Sequence, residues 1–211
     1  MSISENIPAN FSSNAMLGSP PLLLRFPVDL RMTPDKYFDF CCANPDLRLE
    51  QLANGEVVVM SPTGGESGDR SSEINYQLRA WAKRDGRGKV FDSNTEFRLP
   101  LGSARCPDGC WVGLSRWDTL TPDERKKFPP LCPDFVIELR SETDRLIDLQ
   151  NKLEEYLANG ARLGWIIDPF SNIVHIYRPG HAAEVLVNPA SVSGDPELPG
   201  FVLDLKEVFT E

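Results

Sequence analysis

The segment Pro133–Arg140, ProAspPheValIleGluLeuArg, constrains this chain more than any other. Phe135, Val136, Ile137 and Leu139 make it apolar on both faces, so it reads as a strand inside a sheet, and yet it carries Glu138. After it, Asp144 is expected to cap a helix in which Leu146, Leu149, Leu153, Tyr156 and Leu157 hold one stripe, stopped by AsnGly at 159–160. Leu163–Asp168 reads as a further buried strand. A helix lying between two buried strands calls for a sheet covered by helices, an α/β (α+β) fold with a mixed β-sheet.

The remaining segments add to that sheet. Thr33 before Pro34 marks a short helix start. ArgLeuGluGlnLeu at 48–52 and GluValValValMet at 56–60 flank AsnGly at 54–55, the signature of an N-terminal β-hairpin. Ile74, Leu78 and Trp81, spaced i, i+4, i+7, predict an amphipathic helix from about residue 64 to Arg84, ending at AspGly, 85–86. Lys89–Asp92, Thr95–Leu99, Cys106–Val112 and Pro133–Arg140 are expected to form the core sheet. Between the last two, Thr121 before Pro122 and Glu124 predicts a brief helical excursion inserted in a hairpin. Ile173–Tyr177 and Ala183–Val187 pair as a C-terminal β-hairpin, and residues 199–205 lead to a short closing element.

Composition narrows the function. With 211 residues the chain is read as a flexible leader, 1–21, and one domain, 22–211. A net charge of −9 argues against sequence-independent coating of nucleic acid, so any DNA contact must be local and assisted by a cation. No apolar run is long enough to cross a membrane. Five cysteines without disulfide or zinc spacing are expected to be free thiols, and Met1 to Pro21 has no basic, apolar signal pattern, so a cytoplasmic location is expected.

Four blocks bring acids and cations to the predicted sheet: Cys106-Pro107-Asp108; Pro133-Asp134 through Glu138 to Arg140-Ser141; Asp148 through Lys152 to Tyr156; and Gly164 through Asp168-Pro169. Together with the ArgLeuGlu, AsnGlyGlu and MetSerProThrGlyGly blocks upstream, they resemble the Uma-type family of restriction endonuclease-like proteins, within the PD-(D/E)xK nuclease superfamily. The likeness runs from about Met32 to Phe209. It implies a restriction endonuclease-like fold and an Mg²⁺-dependent endonuclease, with Mn²⁺ as an alternative ion, hydrolysing DNA by metal-activated water. It assigns Asp108 and Glu138 as metal ligands. In the superfamily motif a lysine stands two residues beyond the second acid, on the same strand face. Here that place is Arg140, which stays protonated and can clamp a phosphate but not accept a proton. In the Uma-type relatives the lysine comes from the following helix, and Lys152 matches it. At about 100° per residue, Lys152 lies roughly 90° from the centre of the apolar stripe, at its border.

Each residue also has a plainer reading. Asp108 and Glu138 could be strand-end acids making surface hydrogen bonds, and Lys152 could form an exposed i,i+4 pair with Asp148. Arg79, Lys83 and Arg84, with Arg87 and Lys89, form the densest basic run; they are candidate DNA-phosphate contacts together with Arg140, or cations that stabilise a helix C-terminus. Glu50 and Glu73 are candidate additions to the acidic site. Trp111, Trp117 and Trp165 read as core residues rather than base-stacking platforms. Two other functions stay open: a nuclease-fold binding module without turnover, and a structural homodimer that packs through the 115–131 insertion with Trp117 and Phe128.

Overall fold

A computed structural model describes residues 22–210. The flexible leader expected at 1–21 lies outside the described residues. The chain begins with β1 (Leu22–Leu24), a 3₁₀ turn at Val28–Leu30 and α1 (Pro34–Ala43), whose N-cap Thr33 accepts a hydrogen bond from the Lys36 backbone N–H. The hairpin β2 (Arg48–Gln51) and β3 (Val57–Met60) follows, its turn closed by Gly55 at φ +84°. Next come α2 (Gly65–Asp85), β4 (Gly88–Asp92), β5 (Phe97–Arg98), β6 (Ala104–Arg105) and β7 (Gly109–Gly113). Two short helices, α3 (Leu114–Trp117) and α4 (Pro122–Lys126), lead to β8 (Phe135–Leu139), α5 (Leu146–Ala158) and β9 (Leu163–Asp168). The chain closes with β10 (Ile173–Tyr177), β11 (Glu184–Val187), β12 (Ser191–Ser193), β13 (Val202–Asp204) and α6 (Lys206–Phe209).

The central sheet has six strands in the order β11-β10-β9-β8-β7-β4. Only β8 and β9 pair in parallel, joined by α5; every other pair is antiparallel. Period-2 alternation divides its faces. Phe135, Ile137, Leu139, Trp165 and Ile167 join Ile74, Leu78 and Trp81 of α2 in one core, with Trp165 stacked on Phe201 at 5.7 Å. Val136 and Ile166 meet Leu149, Leu153 and Tyr156 of α5 on the opposite face. That second face also carries Glu138, Arg140 and Asp168 by the same alternation. A smaller sheet, β1-β3-β2-β6-β5, packs against α1 through Tyr37, Leu49 and Val57.

Several expectations need correcting. Thr95–Leu99 supplies only β5, and it pairs with β6 in the small sheet rather than joining the core sheet. Cys106–Val112 is not one strand. Ala104–Arg105 belongs to the small sheet, the chain crosses at Cys106, Pro107 and Asp108, and β7 starts at Gly109. Pro107 has no N–H for a ladder, which makes this the natural place to break. Asp144 does not cap α5: its carboxylate turns back to accept from the Ser141 N–H and hydroxyl, and the helix starts after Arg145 without a side-chain cap. In the 115–131 insertion Trp117 is buried in the α5-side core, and partly buried Phe128 packs against Phe38 and Tyr37.

Close approach of α5 to the sheet depends on Gly164. A Cβ there would stand 2.3 Å from Leu153 Cδ1 and 3.4 Å from Val136 Cγ2, both in the packed interior. Gly164→Ala is expected to cost about 1–3 kcal/mol, as overpacked cores do. A urea melt checks this; an unchanged midpoint would show that α5 can shift away.

Candidate functional site

The site forms where the two sheets meet. One step beyond the Gly109–Ile137 pair, the β7–β8 register sets Asp108 opposite Glu138, so both side chains leave the sheet on the α5 face. Asp108 holds this place by replacing a ladder partner: its Oδ2 accepts the Leu139 backbone N–H at 2.8 Å, and the Asn75 amide of α2 donates to its carbonyl at 2.8 Å. Lys152 comes down from α5. Its Nζ lies 3.1 Å and 3.0 Å from the two Glu138 oxygens, and 2.9 Å from Glu50 Oε1. Asp148 pairs outward with Arg145 instead, so the surface pair between Lys152 and Asp148 does not form.

Lys152 is buried more deeply than its border position predicts, with 12% of its side chain exposed, because two carboxylates accompany it. Glu50 is fully engaged. Oε1 accepts from the Cys106 N–H at 2.9 Å as well as from Lys152, and Oε2 from Arg105 at 2.9 Å; Arg105 in turn reaches Glu155 through its Nε at 2.9 Å. Burial alone would raise the Glu50 pKa, but Lys152 and Arg105 hold its carboxyl below the usual range. Burial pushes Glu138 and Asp108 up, and Lys152 opposes the rise in both. Burial would lower the Lys152 pKa, but Glu138 and Glu50 more than offset it, so the ammonium stays charged.

Glu138 Oε1, although near Lys152, is buried without an aligned hydrogen-bond donor. Among the described residues no group of three or more His, Cys, Asp or Glu side chains forms a metal cage. Two opposed carboxylates with an unfilled buried oxygen nevertheless fit Mg²⁺, which commonly takes one or two carboxylates and completes its shell with water and phosphate.

The other expected residues are dispersed. Arg140 shares the Glu138 face, but its Nη1 is bound to buried Asp168 at 2.8 Å and its Nε to the Asp144 carbonyl. Arg79, Lys83 and Arg84 are exposed on the last turns of α2, which packs on the other face of the sheet. Lys83 and Arg84 lie toward the Gly88–Gly113 pair, at the opposite end of β7 from Asp108, and Arg79 is one turn beyond Asn75 but on the helix that covers the other face from the acids. Glu73 bonds Gln77, which bonds the β13 backbone at Asp204, away from the centre. Asp134 binds the Gly113 N–H and Arg116, a structural role.

Sequence reasoning missed Arg105, Glu155 and Glu96. Glu155 follows Lys152 at i+3, a spacing that could have flagged a shared face. Glu96 alternates with Phe97 like a solvent-facing residue, yet it is buried, accepting from the Tyr37 hydroxyl at 2.9 Å.

The open mixed sheet with its α5 crossover and acid pair is a restriction endonuclease-like fold. The Uma2 family, described as "Putative restriction endonuclease", matches residues 34–206, and the chain belongs to that family. The crystal structure of a putative nuclease of the DUF820 family from Anabaena variabilis is similar, with a TM-score of 0.69 at 21% identity, covering 84% of this chain and 97% of that one. No curated protein matches the chain.

Two outcomes follow from these contacts. Burial pushes Glu96 up to about 8, aided by Glu50 and opposed by Tyr37 and Arg105. The folded state therefore keeps a proton that the unfolded chain loses near pH 4.5, so this contribution to stability is full below that pH and declines as pH rises through 8. Glu96→Gln, which keeps an acceptor for Tyr37, should gain several degrees in Tm over the wild type between pH 6 and 8.5, at about 2–4 °C per kcal/mol; parallel Tm curves would assign the proton elsewhere. Arg140→Ala strips buried Asp168 of its cation and should cost about 1–3 kcal/mol in a denaturant melt.

Proposed function

We propose that this protein is an Mg²⁺-dependent endonuclease that hydrolyses DNA phosphodiester bonds, with Mn²⁺ able to replace Mg²⁺. The observation that carries this reading is the convergence of Asp108, just before β7, with Glu138 of β8 and Lys152 of α5 on one face of the sheet. Asp108 and Glu138 would hold the cation. When bound, the ion supplies a water of lowered pKa and neutralises charge on the phosphate.

Lys152, a cation held between Glu138 and Glu50, would orient the attacking water and stabilise charge growing on phosphate oxygens. Glu50 acts through Lys152: bound by Arg105 and the Cys106 N–H, it keeps the ammonium from swinging toward solvent. Arg140, engaged with Asp168, can meet a phosphate only with its remaining donors.

Purified protein incubated with plasmid and single-stranded DNA in Mg²⁺, Mn²⁺ or EDTA tests the reading. Cleavage is expected with either ion and not with EDTA. Asp108→Ala should abolish it while the circular dichroism spectrum is kept, and Lys152→Ala should slow the single-turnover rate by about 10²-fold or more. A fully active Lys152→Ala overturns the role of the helix lysine. No hydrolysis with either ion would make the protein a nuclease-fold binding module.

A further inference from the structure

A cleft of about 470 Å³ opens between α1, the β5–β6 turn and α4. Successive strand residues point to opposite faces, so while Glu50 turns to Lys152 and Arg105, its neighbour Gln51 turns into this cleft. Gln51 is 6% exposed, and its amide Nε2 is buried with no hydrogen-bond partner. A buried donor left unpaired is costly, and a bound acceptor would relieve it. The walls are Phe38, Phe128, Leu99 and Pro130, the two rings meeting edge to face at 5.0 Å.

Charge at the mouth is also selective. Asp35 is neutralised by Lys127 at 3.2 Å, Asp123 pairs with Lys126 at 3.6 Å, and Glu124 is occupied in the Thr121 capping box. Arg98 lines the same mouth and makes no ion pair among the described residues. Asp35 and Asp123 are thus ion-paired, whereas Glu124 keeps its charge and Arg98 is the cation that faces it, with no direct ion pair to hold its guanidinium from a phosphate.

We propose that the cleft holds an unpaired adenine base of the DNA substrate, with a neighbouring phosphate at Arg98. A glutamine amide sets a donor beside an acceptor and matches the adenine N7 and N6 edge bidentately. Apolar and aromatic walls suit a base taken out of its stack, and the volume is within the range of small-ligand pockets. The nuclease would then read an adenine of its substrate. This inference rests on the nuclease reading.

The test separates the two. The full chain in EDTA is titrated calorimetrically with dAMP, dCMP and deoxyribose 5-phosphate. Saturable dAMP binding is expected, with dCMP about tenfold weaker or more, the scale of a lost bidentate contact, and no competition from the sugar phosphate. Gln51→Leu should abolish the preference for dAMP over dCMP, with a thermal melt to confirm folding. Arg98→Ala, at the mouth, should weaken both nucleotides alike and serves if Gln51→Leu does not fold. Asp108→Ala should bind dAMP as the wild type does. No dAMP binding at millimolar concentration, equal binding of dCMP, or a preference that survives Gln51→Leu overturns the adenine site, even if DNA is cut. A dimer closed over the cleft, seen by sedimentation and unaffected by dAMP, overturns it as well. Selective dAMP binding without any DNA cleavage retains the base site and defeats the nuclease reading.

Discussion

Burying the Lys152 ammonium between Glu50 and Glu138 is the constraint on which the rest of the arrangement depends. Moving charges out of water costs several kcal/mol per ion, and mutual attraction returns this only when every remaining polar group is also met. The surrounding contacts do most of that. Arg105 answers Glu50 and Glu155, the Cys106 N–H fills a Glu50 lone pair, and the Leu139 N–H fills one on Asp108. An apolar filling of the same volume would serve stability as well or better, so the cluster makes sense as equipment for chemistry rather than as a source of folding energy. Two buried oxygens here keep no hydrogen-bond partner, Glu138 Oε1, 3.0 Å from the Lys152 ammonium, and the Tyr156 hydroxyl.

The backbone around this cluster is shaped by the same need. At Cys106–Asp108 the chain leaves the small sheet and enters the large one, and neither ladder continues through Pro107. Carboxylates stand in for the missing strand partners: Glu50 takes the Cys106 N–H and Asp108 takes the Leu139 N–H. Breaking the strand thus brings the β2 acid and the β7 acid to one point. A continuous strand from 106 to 112 would have left Glu50 and Arg105 without a common meeting place with Lys152.

Local signals carried much of this fold. The AsnGly turn, the i, i+4, i+7 stripe of α2, the α5 stripe with its AsnGly stop and the apolar β8 and β9 each act within a few residues, and all appear where the pattern puts them. What failed was what depends on distant partners. Alternation in Thr95–Leu99 identifies a strand without saying which sheet it joins. Glu96 looks solvent-facing because its polar surroundings come from α1 and β2, far away in sequence. The basic run on α2 is dense in sequence, but its helix covers the other face of the sheet from the acids. Asp108, Glu138 and Lys152 were legible as a set through family resemblance; their spacing alone left exposed acids and a surface ion pair open.

An arginine at position 140 fits the geometry around it. Residues 138 and 140 share a face, so a cation on the strand and one on α5 can serve the same space. What matters to a phosphate or a water is where the charge ends, and Lys152 ends within 3.1 Å of Glu138 whatever backbone it starts from. With the Lys152 ammonium at Glu138, the strand position is free for another task. Asp168 reaches the same face from β9 with 3% of its side chain exposed, and unanswered it would add a further acid to an already acidic interior. A lysine at 140 could offer it a point charge. Arginine does more, binding Asp168 through Nη1 and the Asp144 carbonyl through Nε, which ties the C-terminal ends of β8 and β9 to the start of the α5 connection. The strand arginine and the helix lysine are therefore two halves of one division of labour, the first holding the frame from which the second descends.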